Sequence, residues 1–309
     1  MTLKVLHVFS PSLRTRFGGQ NVTWKYNFSF WNEPGVEHYC LEVNDNQVLP
    51  AKIAFDFDYP DKQSPFNQWN RGIWTIKLIK NLRRVAKEYD VIHFHILWWG
   101  SLLSARWAKR RNIPTVYESV LLDADTPGNI LKESFGRKQV SLLKDFSCIL
   151  AISDYLAQDY LDNGFSKDQV VTLMNSVDTT LFHPLSDRPE RAELRGRLGL
   201  PTDATVLIFV GSIIQRKGVD VLVEAFKQLS STLPDSYLLL VGPQTKQENP
   251  SLDENWVGSL KENLAEAGLT SKVKFAGLVS DRQRLADLYR VSDIFVFPSR
   301  QEGLGNVIL

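Results

Sequence analysis

Cysteine is nearly absent: Cys40 and Cys148 are the only two in 309 residues. They have neither the spacing of a metal site nor the number a disulfide framework needs, so a reducing, cytoplasmic compartment is expected. An excess of either charge is also missing, because 36 Lys and Arg stand against 35 Asp and Glu, a net charge of +1. Coating nucleic acid requires cations in excess over a broad face, so nucleic acid is not an expected partner. No run of about 18 apolar residues occurs. The start, Met1-Thr2-Leu3-Lys4-Val5-Leu6-His7-Val8, lacks a basic region ahead of a long apolar stretch. Neither secretion nor membrane spanning is therefore expected.

What is present is a recurrence of short, apolar, β-branched runs with helical patterns between them. Val5 to Phe9, Val91 to Phe94, Thr115 to Tyr117 and Cys148 to Ile152 form one series. After a polar stretch with two prolines, His183 to Pro189, a second series runs through Val206 to Val210, Tyr237 to Val241, Val273 to Phe275 and Ile294 to Phe297. Alternation of this kind predicts βαβ units. Runs that are continuously apolar predict strands covered by helices on both faces. The expectation is an α/β protein of two doubly wound parallel-sheet domains, residues 1–186 and 187–309.

Ligands of such sheets bind beyond the carboxyl ends of the strands, which directs attention to three loops. Gly18-Gly19 follows the first strand. Its glycines let backbone amides approach a phosphate, or serve only to turn the chain. In the second series, Gly211-Ser212 leads to Arg216-Lys217-Gly218 and a helix from about Val219 to Leu229. Arg216 and Lys217 are either a solvated pair or the cations that neutralise a diphosphate leaving group. After the last strand comes Glu302-Gly303-Leu304-Gly305-Asn306, read as a loop entering a helix whose first amides hold phosphate while Glu302 accepts from sugar hydroxyls.

These residues resemble the retaining glycosyltransferases of family 4, which have the GT-B fold. The resemblance is carried most specifically by Val273 to Val279, Leu285 to Tyr289 and Asp293 to Leu309. It is also carried by Phe209-Val210-Gly211 with Lys217-Gly218, by Leu239 to Gly242, by Asn175 to Asp178, and more weakly by Gly18-Gly19, Asp90 to His95 and Ile152-Ser153. It implies two Rossmann-like domains facing a cleft that closes over the ligand. It also implies that Lys217, with Arg216, binds the donor diphosphate, that Glu302 contacts the donor sugar, and that the amides of Gly303, Leu304, Gly305 and Asn306 hold the distal phosphate. Gly18, Gly19, Gly211 and Ser212 would line the donor, and the loop through Val279 would seat the nucleobase. The implied substrates are a nucleoside-diphosphate sugar and a saccharide or lipid-linked acceptor. The implied product is a cell-surface polysaccharide or glycolipid. No metal or cofactor is implied.

The sequence departs from the family pattern in three places. The family has two glutamates separated by seven residues; with Glu302 as the first, the second falls at position 310, so the second domain is expected to be incomplete. Ser212 stands where many relatives have arginine, and Arg216 is expected to compensate. Where many relatives have a histidine after the strand following His93-x-His95, this chain has Glu118-Ser119. Glu118 is read either as orienting a sugar or as a structural hydrogen-bond acceptor. His93 and His95 lie on one face of a strand; two ligands are too few for a metal, and packed, hydrogen-bonded histidines are the expectation.

On the acceptor side, Trp98 and Trp99 are the aromatics placed best to stack on a sugar, while Trp74 and Trp107 read as core. From Arg71 to Arg111 ten Lys and Arg face only Glu88 and Asp90. The first helix there is amphipathic, which suits either a core-facing helix with a solvated basic side or one lying on an anionic inner-membrane surface. Two other readings share the fold: an inactive nucleotide-sugar-binding scaffold, and a nucleotide-sugar epimerase that needs no acceptor.

Overall fold

The apolar runs at residues 5–8, 206–210 and 238–241 are buried throughout, and each half of the sequence builds its own sheet around such strands. The computed structural model describes residues 2–9, 34–43, 47–51, 70–121, 125–185, 188–249 and 252–309. Its two compact units are Met1–Asn175 and Ser176–Leu309. No helix among the described residues is long and apolar enough to cross a membrane.

The first unit holds a seven-stranded sheet of order β3-β2-β1-β4-β5-β6-β7. Its strands are β1 (Leu3–Val8), β2 (Val36–Glu42), β3 (Gln47–Pro50), β4 (Val91–Phe94), β5 (Thr115–Ser119), β6 (Cys148–Ala151) and β7 (Val170–Thr172). All neighbours are parallel except β2 and β3, which pair antiparallel with Cys40 opposite Leu49. Three strands, β2, β3 and β7, were not legible in the sequence. β2 mixes Glu37 and His38 among its apolar residues, and β3 and β7 are short edge strands without a fully buried face. Helices α1 (Asn70–Val85), α2 (Trp99–Lys109), α3 (Pro127–Ile130), α4 (Gly136–Leu143) and α5 (Asp154–Asp162) fill the crossovers. Trp74, Leu78 and Leu82 on α1 and Leu102 and Ala105 on α2 are buried in one cluster with Leu6, Ile92 and Phe94 of the sheet.

In the second unit the sheet order is β10-β9-β8-β11, all parallel. The strands are β8 (Thr205–Val210), β9 (Ser236–Val241), β10 (Val273–Gly277) and β11 (Ile294–Phe295). Successive side chains of a strand point to opposite faces, and here that alternation divides one strand between two cores. Leu207, Phe209, Leu238 and Leu240 pack with Val223 and Phe226 of α7 (Val219–Thr232) and Leu260 and Leu264 of α8 (Glu254–Glu266). Val206, Ile208, Val210, Leu239 and Val241 pack with Leu194 of α6 (Arg188–Arg197) and Leu288 of α9 (Arg282–Arg290).

The expected boundary at residue 186 lies beyond the point where the units part. Residues 176–185 fold with the second unit because Arg290 of α9 donates to the Leu181 carbonyl at 2.6 Å and the His183 carbonyl at 3.2 Å. Phe182 also packs edge-on against Tyr289.

Candidate functional site

The loops after β8 and β11 meet because a glycine lets them. Gly218 has φ +70°, a left-handed conformation that disfavours other residues. A Cβ there would lie 2.0 Å from the Pro298 carbonyl oxygen. That approach brings a single-turn 3-10 helix, Gln215–Lys217, against residues 298–302. The Arg300 amide donates to the Arg216 carbonyl at 2.9 Å. The Arg300 guanidinium forks onto both oxygens of Asp220 at 2.9 and 2.8 Å and also donates to the Gln215 carbonyl.

Glu302 sits where these loops join. Lys217 Nζ donates to Glu302 Oε1 at 2.5 Å, Ser299 Oγ donates to the same oxygen at 2.5 Å, and Arg216 Nη1 lies 3.4 Å from it. Arg216 Nη1 also donates to the Gln301 carbonyl at 2.5 Å, and Lys217 Nζ lies 5.2 Å from the centre of the Phe297 ring. Side-chain exposures of 36% for Arg216, 15% for Lys217 and 23% for Glu302 make this a half-sheltered cluster that still reaches solvent. Of the residues expected to form a site, Lys217, Arg216 and Glu302 are thus brought together. Ser299, which orients the carboxylate, was not anticipated; a serine three residues ahead of Glu302 in a post-strand loop was its only signal.

Other expected donor residues lie at the same strand ends with different partners. Gly211 and Gly242 close β8 and β9, and a Cβ on Gly242 would lie 1.9 Å from the Gly211 carbonyl oxygen. Ser212 Oγ accepts from Asn249 Nδ2 at 3.2 Å. The loop through Val279 begins at Gly277, with φ +72°, and the Leu278 amide faces Glu248 Oε1 at 3.5 Å. Gly303, Leu304 and Asn306 are half-buried. Gly305 is buried, with the Phe297 ring 2.9 Å from where its Cβ would be. The helix expected after this loop is a single 3-10 turn, Asn306–Ile308, closed by the Ile308 amide on the Gly305 carbonyl. Gly18 and Gly19 lie outside the described residues.

In the first unit, Glu118 is the penultimate residue of β5 and is 6% exposed. Its Oε2 lies 2.7 Å from His95 Nδ1, His95 Nε2 lies 2.9 Å from His7 Nδ1, and His7 Nε2 lies 2.9 Å from His38 Nδ1. The sequence reading had two histidines here, and the sheet adds His7, its register partner across β1 and β4 being His93. A histidine inside the apolar run of the first strand was the available signal. Burial, reinforced by the neighbouring imidazoles, holds His7 and His93 well below the usual imidazole pKa, although Glu118 partly opposes this at His93. Burial does the same to His95.

Asp125 was not singled out, yet it shapes the loop after β5. It accepts from the Val120 amide at 3.1 Å, the Leu121 amide at 3.2 Å and the Tyr117 hydroxyl at 2.8 Å. Trp98, expected to stack on a sugar, is half-buried and packs edge-on against Trp74, their ring centroids 4.1 Å apart. Trp99 remains 38% exposed, with Phe135 beside it. Ser153, part of the family resemblance, caps α5 by accepting from the Leu156 amide.

Family models match both halves of the chain: one described as glycosyl transferases group 1 over residues 190–309, and one described as glycosyl transferase 4-like domain over residues 54–176. The chain is 30% identical over 300 residues to the D-inositol 3-phosphate glycosyltransferase of Jonesia denitrificans, covering 90% of this chain and 65% of that protein. It is 27% identical over 252 residues to the mannosylfructose-phosphate synthase of Agrobacterium fabrum, covering 75% of this chain and 53% of that one. The chain therefore spans between half and two thirds of the length of these two relatives. Among solved structures, Anabaena HepE in complex with UDP superposes with a TM-score of 0.69 at 18% identity, covering 99% of this chain and 77% of that one. Sucrose-phosphate synthase from Thermosynechococcus elongatus gives 0.66 at 21% identity, with the same coverages.

Proposed function

We propose that this chain, which belongs to the group 1 glycosyltransferases of family 4 with the GT-B fold, uses its second unit to bind a nucleoside-diphosphate sugar and transfers that sugar to a hydroxyl-bearing acceptor. The observation that carries the reading is the convergence of Lys217, Arg216 and Ser299 on one oxygen of Glu302 at the carboxyl ends of β8 and β11. Departure of a nucleoside diphosphate builds negative charge, and cations fixed beforehand stabilise it without reorganising. Lys217 and Arg216 are the leaving-group cations in this reading, and no metal is assigned to the diphosphate. All three contacts fall on Oε1 of Glu302, so Oε2 is the oxygen assigned to accept from the donor sugar. Retention of configuration is part of the proposal, since the group at Glu302 orients the sugar and the departing diphosphate oxygen takes the acceptor proton.

Calorimetric titration of the folded chain with uridine, guanosine and adenosine diphosphate sugars, without added metal, tests this. HepE was solved with UDP, which makes the uridine series the first choice. One donor is expected to bind. Lys217→Ala removes a charge-assisted contact of about 1.5–3 kcal/mol, a loss of roughly 10- to 150-fold in affinity. A folded chain that binds none of the donors would sink the proposal. Donor binding without turnover against any acceptor would favour the scaffold reading, toward which Ser212, paired with Asn249 and carrying no charge, points.

The acceptor we infer is a saccharide or a lipid-linked saccharide of a surface polysaccharide or glycolipid. Support for a lipid surface comes from α1, where Ile73 and Ile76 are 58% and 70% exposed on a helix that also exposes Lys77, Lys80, Arg83 and Arg84. Not every cation of this region is available: Asp145 accepts from Arg106 at 2.7 Å and from Lys109 at 3.0 Å.

A further inference from the structure

Three imidazoles meet inside the sheet of the first unit. His7 on β1, His93 on β4 and His95 just past the end of β4 are 1%, 7% and 5% exposed, and their ligand nitrogens all lie within 4.8 Å of one another. They are the only group of three or more histidine, cysteine or carboxylate side chains so placed among the described residues. Register explains the meeting: His7 is opposite His93, and His95, two residues on, points to the same face.

Burying three polar rings in an apolar sheet is costly unless each nitrogen is satisfied. A row of neutral tautomers accounts for the contacts of His95, His7 and His38. In that row His95 would donate Nδ1–H to Glu118 across 2.7 Å, His7 would donate Nδ1–H to His95 Nε2 across 2.9 Å, and His38 would donate Nδ1–H to His7 Nε2 across 2.9 Å. That row stands beside His93, whose ring centroid lies 4.0 Å from that of His95 and 5.3 Å from that of His7. It also aims two nitrogens at each other across a gap close to the one an ion would bridge. Two ligand nitrogens about 2.0–2.1 Å from a tetrahedral ion are separated by about 3.3 Å. The rings of His7 and His95 need part by only about 0.5 Å.

We propose that His7, His93 and His95 form a binding site for a divalent first-row transition ion of the zinc class. Imidazole suits such ions, and three protein ligands leave the fourth tetrahedral position to water or another donor. His95 keeps its Nδ1–H on Glu118, the outer carboxylate that commonly orients a ligating histidine and raises its basicity. His7 ligates through Nδ1 and carries its proton on Nε2, donated to His38 Nδ1 across the same 2.9 Å contact. Every ligand is then a neutral imidazole, and the only change in protonation is a shift of tautomer along the His7–His38 contact. The site belongs to the first unit and takes no part in neutralising the diphosphate. It stands whether or not the glycosyltransferase proposal does.

The test uses the untagged chain, stripped with a chelator and checked for folding by circular dichroism. Zn²⁺ is titrated in competition with a chromophoric chelator, and Co²⁺ is titrated separately while its visible ligand-field bands are followed. One ion per chain is expected, with tetrahedral Co²⁺ bands and a higher thermal midpoint in Zn²⁺. His93→Phe should abolish the bands, and Glu118→Gln should weaken affinity about 10- to 100-fold. If His93→Phe does not fold, the wild-type Co²⁺ spectrum and the Glu118→Gln affinity still decide. A folded, stripped chain that takes up no stoichiometric ion would overturn the proposal and leave the hydrogen-bonded tautomer row. Stoichiometric uptake unchanged in both variants would overturn it as well, since the ion would then sit elsewhere.

Discussion

Gly218 illustrates how one residue sets the candidate donor site. Its left-handed φ of +70° and the close approach of the Pro298 carbonyl hold the 215–217 turn against residues 298–302. Gly218→Ala adds backbone strain of about 1 kcal/mol or more and forces the two loops apart. It is expected to lower the thermal midpoint and to weaken donor binding together. Unchanged donor affinity in calorimetry would show that the loops need not touch for the site to work. Arg216, Lys217 and Glu302 were legible in the sequence because two cations after one strand and a carboxylate after another have chemical meaning at strand ends. Ser299, the Arg300–Asp220 fork and His7 were not. Ser299 acts on Glu302 three residues on, through a turn that its sequence does not mark, whereas the fork and His7 depend on partners 80 or more residues away, Asp220 for Arg300 and His95 for His7.

At the scale of elements, α1 carries two messages in one sequence. Trp74, Leu78 and Leu82 recur at helical spacing and are buried, forming a core-facing stripe. Ile73 and Ile76 lie off that stripe and stay exposed. If this face meets an anionic membrane, the chain should sediment with vesicles rich in phosphatidylglycerol and not with phosphatidylcholine alone. Ile73→Ser with Ile76→Ser should lower the partition several-fold, since each removes apolar area worth about 1 kcal/mol or more when buried. Equal sedimentation of the double variant would assign the apolar pair no role at a membrane. The strands of the second unit were the most legible elements: Val206 to Val210 and Tyr237 to Val241 fall within β8 and β9, each extended by one residue at its start. β11 is two residues shorter than its apolar run, although the Val296 amide still donates to the Ile208 carbonyl of β8 at 2.8 Å.

For the molecule as a whole, a network around Asp293 ties α6 to the start of the second sheet. The carboxylate accepts from Arg191 at 2.7 Å, from Arg195 at 2.7 Å and from the Val206 amide at 2.7 Å. Arg195, 5% exposed, also donates to the Val291 and Ala204 carbonyls. Burial alone would raise the Asp293 pKa, but the Val206 amide and the two arginines outweigh it, and the group lies below the usual carboxylate value. A depressed folded pKa adds stability above the unfolded value of about 3.9 and gives it up as pH falls through the folded value. Thermal midpoints should therefore hold above about pH 4 and drop below it. Asp293→Asn should be less stable at neutral pH by about 1.5–3 kcal/mol and show a shallower acid decline. Parallel acid declines in the two proteins would remove Asp293 from the account.

The sequence alone was enough for the α/β class, the two parallel-sheet units, most strands of both, and the loops whose residues meet at the candidate donor site. Those features follow from hydrophobic runs and from residue types at their ends, which are local properties. Tertiary structure alone decided that residues 176–185 fold with the second unit, that Trp98 packs against Trp74, that Asp125 pins the loop after β5, and that His7 joins His93 and His95. Each of these depends on which strand lies beside which, and sheet order is set by burial summed over the whole unit rather than by any stretch of its sequence.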